Sequence, residues 1–233
     1  MEKNVLVSGG NRGIGFEACR QLAETGFKVW LGSRDEEKGN EAASRLQKEG
    51  LDVQQIFLDV AQPDRMAEVR GRILKEDGRI DVLINNAGIF PDKRSSILDI
   101  DTVTFEDIQL VNYFGPYFLM RSLMPVMLEN NYGRIVNVAA EMGVSQAMDA
   151  PMAGAYKASK YSLNALTRLF AGAARRKNVK VNSVSPGWVK TELGGEKAER
   201  KPEEAMEGIL WLSQLEEDGP TGKFFRDRDE LEF

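Results

Sequence analysis

The stretch VSGGNRGIG (residues 7–15) lies between a short apolar run and a helical pattern. Its glycines Gly9, Gly13 and Gly15 let backbone approach a pyrophosphate closely, and the start of the following helix favours negative charge. The spacing G-x-x-x-G-x-G differs from the G-x-G-x-x-G of the standard dinucleotide fingerprint. A plain glycine-rich turn explains these residues equally well, but the position after the first strand favours a nucleotide site.

Apolar runs and amphipathic helical stretches alternate along the 233 residues. The runs cover 4–9, 28–33, 53–59, 81–88, 133–139, 179–187 and 222–227, and the helical stretches cover 14–25, 35–49, 63–77, 104–130, 155–176 and 202–215. Strands separated by helices of this length predict βαβ units and a parallel sheet. No repeat or linker-like tract divides the chain, so we expect one α/β domain over residues 1–233. Its ligands should bind at the carboxyl ends of the strands.

Charge and composition narrow the functional classes. The formal net charge is −5 and no long basic run occurs, which disfavours nucleic acid and anionic membranes as partners. The apolar runs are strand-length and the N-terminus carries no signal-peptide pattern, so we expect a cytoplasmic protein without a membrane span.

The chain contains no histidine. This excludes Ser-His-Asp and Cys-His catalysis and the common zinc sites. Acid–base chemistry near neutral pH must then come from Tyr, Lys, Asp or Glu with shifted pKa values.

The second predicted strand ends in LGSRD, where an acidic residue would hold the free 2′-hydroxyl of NAD. Ser33 and Arg34 stand there instead and suit a 2′-phosphate, with Arg12 as a second positive charge, so NADP is favoured over NAD. The alternative is a solvated helix entry with Asp35 near the N-cap. Asp59, at the end of the third strand, is expected to bind the adenine amino group. The alternative is that its side chain only stabilises the turn that ends this strand.

Tyr156 and Lys160 lie four residues apart in a helical stretch and therefore share one face. A lysine cation beside a tyrosine stabilises the phenolate and lowers the phenol pKa towards the physiological range. Such pairs also arise by chance, and alone this one would carry little weight.

The motifs taken together resemble the classical short-chain dehydrogenase/reductase family. In chain order they are GGNRGIG (9–15), NNAG (85–88), VN (111–112), YKASK (156–160) and SPGWVKT (185–191), and the ending WLSQLEEDGPTGKFFRDRDE (211–230) is similar to that of carbonyl-reductase-like members. The resemblance implies a doubly wound Rossmann-type domain with a seven-stranded parallel sheet flanked by helices. It also implies a nicotinamide cofactor and hydride transfer to or from a carbonyl carbon.

The resemblance assigns roles to matching positions. Tyr156 becomes the proton donor in reduction, and Lys160 lowers its pKa and holds the nicotinamide ribose. Asn112 would support a water that links Lys160 to solvent, with a helix-interior amide bonded to neighbouring backbone as the alternative. The complete expected NADP(H) contact set is Gly9, Asn11, Arg12, Gly13, Ile14, Gly15, Ser33, Arg34, Asp59, Val60, Asn86, Ala87, Gly88, Tyr156, Lys160, Pro186, Gly187, Val189 and Thr191.

One departure from the family pattern concerns catalysis. The family reads like IVNVSS after the fifth strand, and its second serine donates to the substrate oxygen, whereas this chain has Ala139 and Ala140. Counting back from Tyr156 without a gap reaches Gly143 instead, which also lacks a hydroxyl. Ser145 could substitute, the alanine could be an engineered replacement, or catalysis could be lost with NADP binding retained.

We therefore expect NADPH-dependent reduction of a small ketone or aldehyde, or the reverse alcohol oxidation, with impaired turnover. The alternative is an NADP-binding protein without turnover, in a regulatory or interaction role. A sugar-nucleotide epimerase or dehydratase is disfavoured by the short C-terminal region. The substrate loop should span about 188–205, and Met142, Met148, Met152 and Trp188 suggest an apolar pocket. The resemblance implies a homodimer or homotetramer, and some carbonyl-reductase-like members are monomers.

Overall fold

The computed structural model describes residues 3–233. Eight strands form one sheet: β1 (Asn4–Ser8), β2 (Lys28–Ser33), β3 (Val53–Phe57), β4 (Val82–Asn85), β5 (Gly133–Val138), β6 (Val179–Ser185), β7 (Phe224–Arg226) and β8 (Asp229–Leu231). Their order across the sheet is β3-β2-β1-β4-β5-β6-β7-β8. Strands β1 to β7 are parallel, and each lies within one of the seven predicted apolar runs.

The predicted seven-stranded sheet gains one strand. Strand β8 pairs antiparallel with β7 through a tight hairpin in which Asp227 has a φ of 53°. The segment Asp229–Leu231 is too short and too charged to stand out as an apolar run. It covers the edge of β7, which would otherwise expose unpaired backbone groups.

Seven α-helices accompany the strands: α1 (Gly13–Glu24), α2 (Glu36–Lys48), α3 (Met66–Asp77), α4 (Thr102–Gln109), α5 (Gly115–Glu129), α6 (Gly154–Ala174) and α7 (Met206–Ser213). The stretch predicted as one helix over 104–130 is divided, because a π turn over Leu110–Phe114 separates α4 from α5. Such π turns occur frequently at functional sites.

The core lies on both faces of the sheet. Alternate residues of β1 point to opposite faces, so Val5 and Val7 pack against α1, α2 and α7, whereas Leu6 packs against α3, α5 and α6. This arrangement is the doubly wound α/β fold that the alternation of runs and helices predicted. Within residues 3–233, no helix combines the length and apolarity that crossing a bilayer requires.

Candidate active site

A cavity of about 980 Å³ opens at the carboxyl ends of the central strands. It lies where the strand order reverses, because β1 pairs with β2 on one side and with β4 on the other. Crevices at this switch point are where open α/β sheets bind ligands.

The glycine-rich loop forms one wall of this cavity. Gly9 and Gly13 have φ values of 66° and 55°, a region that side chains rarely adopt. A Cβ on Gly15 would lie 2.1 Å from the Gly9 carbonyl oxygen, so only glycine fits there. The Asn86 amide donates to the carbonyls of Ser8 and Gly9 at 2.9 and 3.2 Å and joins the ends of β1 and β4.

The start of α1 fits the pyrophosphate of a dinucleotide. Within residues 3–233, Arg12 at the N-cap makes no side-chain cap hydrogen bond, and the first turn contains no acidic residue. Gly13, Ile14 and Gly15 line the cavity, and no side-chain anion from their own turn competes for the first N–H groups of the helix. An anion at this position would be stabilised by these groups and by the helix dipole.

Most of the residues expected around NADP(H) line the cavity. They are Gly9, Asn11, Arg12, Gly13, Ile14, Gly15, Arg34, Asp59, Val60, Asn86, Ala87, Gly88, Tyr156, Lys160, Pro186, Gly187, Val189 and Thr191. Ser33 is not among the lining residues. It is buried, and its hydroxyl donates to the Asp35 carbonyl at 2.8 Å, so the expected contact with a 2′-phosphate is not supported by its placement.

Two acidic residues near the adenosine end make local turn contacts. Asp35 caps α2, because its carboxylate accepts from the Lys38 N–H at 3.1 Å, and that hydrogen bond holds the pKa of Asp35 below its usual value. Asp59 lines the cavity and also accepts from the Ala61 N–H at 3.0 Å. Both alternatives considered from the sequence are therefore present: Asp35 caps a helix, and Asp59 bonds within the turn that follows its strand.

Asn112 lies behind the cavity wall, in the π turn, and is fully buried. Its side chain accepts from the Ile89 N–H at 2.8 Å and donates to the Ile89 carbonyl and the Ser159 hydroxyl at 2.9 and 3.1 Å. These contacts go to other segments and not to neighbouring helix backbone, and the water-supporting role stays a prediction. Asn112 fixes the chain after β4 against α6.

Tyr156 and Lys160 lie on the first two turns of α6 and both line the cavity. The Lys160 ammonium donates to the Val138 carbonyl at 2.7 Å and lies 5.7 Å from the centroid of the Tyr156 ring. Burial lowers the pKa of Lys160 to about 8.

In this structure the pKa of Tyr156 is not lowered overall, and its lowering by Lys160 stays a prediction. The phenol pKa is raised, first by burial and second by the negative charge of Asp92. The Lys160 ammonium donates to the Val138 carbonyl of β5, a contact that helical spacing alone does not reveal.

Ala140 lines the cavity, whereas Ser145 is exposed and bonds to the neighbouring Gln146 at 3.1 Å. Ser145 is not a lining residue, so its placement does not support the suggested substitution. Besides Tyr156, the hydroxyls among the described lining residues belong to Ser185 and Thr191. The Ser185 hydroxyl already donates to the Glu141 carboxylate at 3.2 Å and accepts from the Gly187 N–H at 3.1 Å.

Several lining residues were not predicted. Arg226 ends β7 and pairs with Glu141 at 2.8 Å, and Phe90 and Lys93 follow β4. The rule that ligands gather at strand ends could have found Arg226, but its strand is only three residues long. Among the expected apolar pocket residues, Met142 and Trp188 line the cavity, whereas Met148 and Met152 do not.

The predicted substrate loop crosses the cavity mouth and contacts both walls. Arg12, expected near a 2′-phosphate, pairs with Glu192 of this loop, and the Lys93 ammonium donates to the Leu193 carbonyl. The base of the loop is closed by the Lys190 N–H, which donates to the Arg200 carbonyl at 2.8 Å.

Comparisons with known proteins identify the family of this chain. The family model described as short chain dehydrogenase matches residues 3–202. The chain is 31% identical to (+)-neomenthol dehydrogenase of Capsicum annuum, with 94% of each chain covered. It is 30% identical to carbonyl reductase [NADPH] 1 of Mus musculus, with 96% of this chain and 95% of that protein covered.

A solved structure of a metagenomic short-chain oxidoreductase in complex with NADP superimposes with a TM-score of 0.82. It is 26% identical, and the match covers 99% of this chain and 98% of that one. This chain therefore belongs to the short-chain dehydrogenase/reductase family of oxidoreductases, with carbonyl reductase among its relatives.

The buried Lys160 predicts a pH dependence of stability. Its pKa is about 8 in the folded chain and about 10.4 when unfolded, so between these values the unfolded chain holds a proton that the folded chain has lost. The free energy of unfolding should rise with pH in this window, by up to about 1.4 kcal/mol per pH unit from this group. Urea denaturation of the parent and of Lys160→Met from pH 7 to pH 10 should show this rise as a growing difference in favour of the parent. Parallel curves would contradict the assignment.

Proposed function

We propose that this protein reduces a small ketone or aldehyde with NADPH, or catalyses the reverse alcohol oxidation, within one NADP-binding domain over residues 1–233. The observation that carries this proposal is the single cavity that joins the glycine-rich loop to Tyr156 and Lys160. The bound cofactor supplies the hydride, and the chain supplies the proton and the binding surface.

Tyr156 is the general acid of the proposed reaction. Its phenol carries its proton at neutral pH, as tyrosine does at its ordinary pKa, and can donate it to a carbonyl oxygen as hydride arrives at the carbon. Lys160 would hold the nicotinamide ribose through its ammonium, which already lies in the wall beside Tyr156.

The adenosine end of the cavity supports NADP over NAD. Arg34 lines this end, while the adjacent carboxylate of Asp35 is occupied as the cap of α2. A guanidinium suits a 2′-phosphate, whereas a ribose 2′-hydroxyl is usually held by a free carboxylate. Arg12 would add a second cation on exchanging its partner Glu192 for the phosphate.

We predict that Arg34→Ala weakens NADPH binding by about tenfold, the equivalent of about 1.4 kcal/mol for one lost charge-assisted contact. NADH, which lacks the 2′-phosphate, should bind the parent and the variant with the same affinity. Calorimetric titration of both cofactors measures the two differences. Equal losses for NADPH and NADH would show that Arg34 does not read the 2′-phosphate.

The substrate position lies between Tyr156, Ala140 and the loop over 188–205. Phe90, Met142 and Trp188 give this part of the cavity an apolar wall, which suits a small uncharged carbonyl compound. The relatives named above carry related names, since one is called a carbonyl reductase and the other a neomenthol dehydrogenase.

Turnover should be slow because Ala140 occupies the position of the family's catalytic serine. Loss of one donor to a developing oxyanion costs about 10² to 10³ in rate. We predict that Ala140→Ser raises the rate of NADPH oxidation about a hundredfold with a panel of small ketones, aldehydes and quinones, because a second donor then joins Tyr156. Equal rates would show that Ala140 is not at the serine position or that another group already acts there.

A second candidate is an NADP-binding protein without turnover, and the missing hydroxyl is the observation that favours it. The Ser185 hydroxyl in the cavity is already bonded to Glu141, so it does not offer a free donor to a substrate. In the same assay, NADPH binding without oxidation by either the parent or Ala140→Ser would favour this second function over reduction.

A further inference from the structure

The chain after β4 packs against the start of the helix that carries Tyr156. Within this segment Asp92 is 1% exposed, and one oxygen of its carboxylate accepts from the N–H groups of Ala155 and Tyr156, at 3.0 and 3.2 Å. These are first-turn N–H groups of α6, which have no partner inside the helix. A buried carboxylate from another segment therefore caps the helix at Tyr156 itself.

The helix needs this contact because its own N-cap does not supply one. Ala153 at the N-cap has a φ of 59°, a left-handed conformation that is strained for a residue other than glycine. Within residues 3–233, Ala153 makes no side-chain cap hydrogen bond. Its N–H donates to the Ser95 carbonyl at 3.0 Å, and Ser96 forms a bridge with Met152, so the two segments are joined next to Asp92.

The same segment also holds the phenol ring. Phe90 stacks on Tyr156, with ring centroids 4.0 Å apart and an angle of 25° between the planes. Phe90 and Asp92, two residues apart, thus contact the ring and the backbone of the same tyrosine.

We propose that Asp92 is a positioning residue for Tyr156: its carboxylate fixes the first turn of α6, and with it the phenol ring, against the chain after β4. The role in proton donation rests on the proposed reductase function. The buried carboxylate of Asp92 therefore both accepts from the Tyr156 N–H and places a negative charge close to this residue.

The charged groups around Tyr156 come from three parts of the chain. Lys160 lies one turn further along α6, Asp92 and Lys93 follow β4, and Glu141 follows β5 in the wall of the cavity. The Glu141 carboxylate is paired with Arg226, and the Lys93 ammonium donates to the Leu193 carbonyl. Among the described residues, the second oxygen of Asp92 has no hydrogen-bond partner, so its charge is not further neutralised. Burial and this charge both raise the pKa of Tyr156.

The first experiment uses Asp92→Asn, which removes the carboxylate charge and keeps a side-chain oxygen as hydrogen-bond acceptor. The phenolate absorbance of Tyr156 is isolated as the difference between each protein and its Tyr156→Phe counterpart during a pH titration. We expect the phenolate fraction of Tyr156 at a given alkaline pH to be about tenfold higher in Asp92→Asn than in the parent, which corresponds to a pKa lower by about one unit. Asp99→Asn, an exposed carboxylate in the same segment, is the matched control and should behave like the parent. Identical titrations of Asp92→Asn and the parent would overturn the proposal.

The second experiment needs no variant and so holds even if Asp92→Asn does not fold. Hydrogen exchange of the unmodified protein should be at least tenfold slower at the amides of Ala155 and Tyr156 than at those of Ile14 and Gly15, which begin a helix without a side-chain cap. Exchange of Ala155 and Tyr156 at the rate of Ile14 and Gly15 would contradict the cap.

The pH profile of reduction separates this proposal from the proposed function. Reduction needs the protonated phenol, so its rate falls as pH rises through the Tyr156 pKa, and this fall should occur at lower pH in Asp92→Asn. Turnover with superimposable profiles for the parent and Asp92→Asn would refute the proposed role of Asp92 and leave the reductase assignment intact. Absence of turnover in every protein, with the expected titration and exchange results, would refute the reductase assignment and leave the position of Asp92 intact.

Discussion

The hydrogen bonds from the Asn86 amide to the carbonyls of Ser8 and Gly9 hold the ends of β1 and β4 together at the point where the strand order reverses. On one side of this junction the glycine-rich loop turns into α1, and Gly15 passes so close to the Gly9 carbonyl that no side chain fits. On the other side the chain continues through Phe90 and Asp92 to the start of α6. The glycine-rich loop and Tyr156 lie on the two sides of this junction and face one cavity.

Features with short-range signals could be predicted from the sequence. The seven parallel strands follow from apolar runs between helices, and the glycine-rich loop follows from its place after the first run. Tyr156 and Lys160 share a face because helical geometry requires it. The family relationship is confirmed by a match that covers residues 3–202.

Features that depend on long-range contacts could not be predicted in this way. Ser33 stands at the expected strand end, but its hydroxyl bonds to the Asp35 backbone instead of facing the cavity. Asn112 lies in a π turn that no periodicity reveals, and it bonds to Ile89, 23 residues away. The pKa of Tyr156 is raised by burial and by Asp92, which is 64 residues distant in the chain, and the spacing from Lys160 reveals neither effect.

The site pairs a buried proton donor, the phenol of Tyr156, with a methyl group at Ala140, which cannot donate a hydrogen bond. The Tyr156 ring is buried and stacks on Phe90, and the Tyr156 backbone N–H donates to Asp92. Several contacts therefore fix the position of Tyr156. Ala140 lines the same cavity and offers only a methyl group at the position where we predict the family's serine hydroxyl. An oxyanion would then be stabilised by one donor instead of two, which predicts slow chemistry with an otherwise complete proton-donating group.

The most direct test follows hydride transfer itself, because it detects even a slow reaction. The protein is incubated with NADPH carrying deuterium at the transferable position of the nicotinamide and with a panel of small ketones and aldehydes, and the products are analysed by mass spectrometry. We predict an alcohol with one deuterium on the former carbonyl carbon, formed by the parent protein and not by Tyr156→Phe. Bound NADPH with no deuterated alcohol from any carbonyl compound would contradict the reductase assignment.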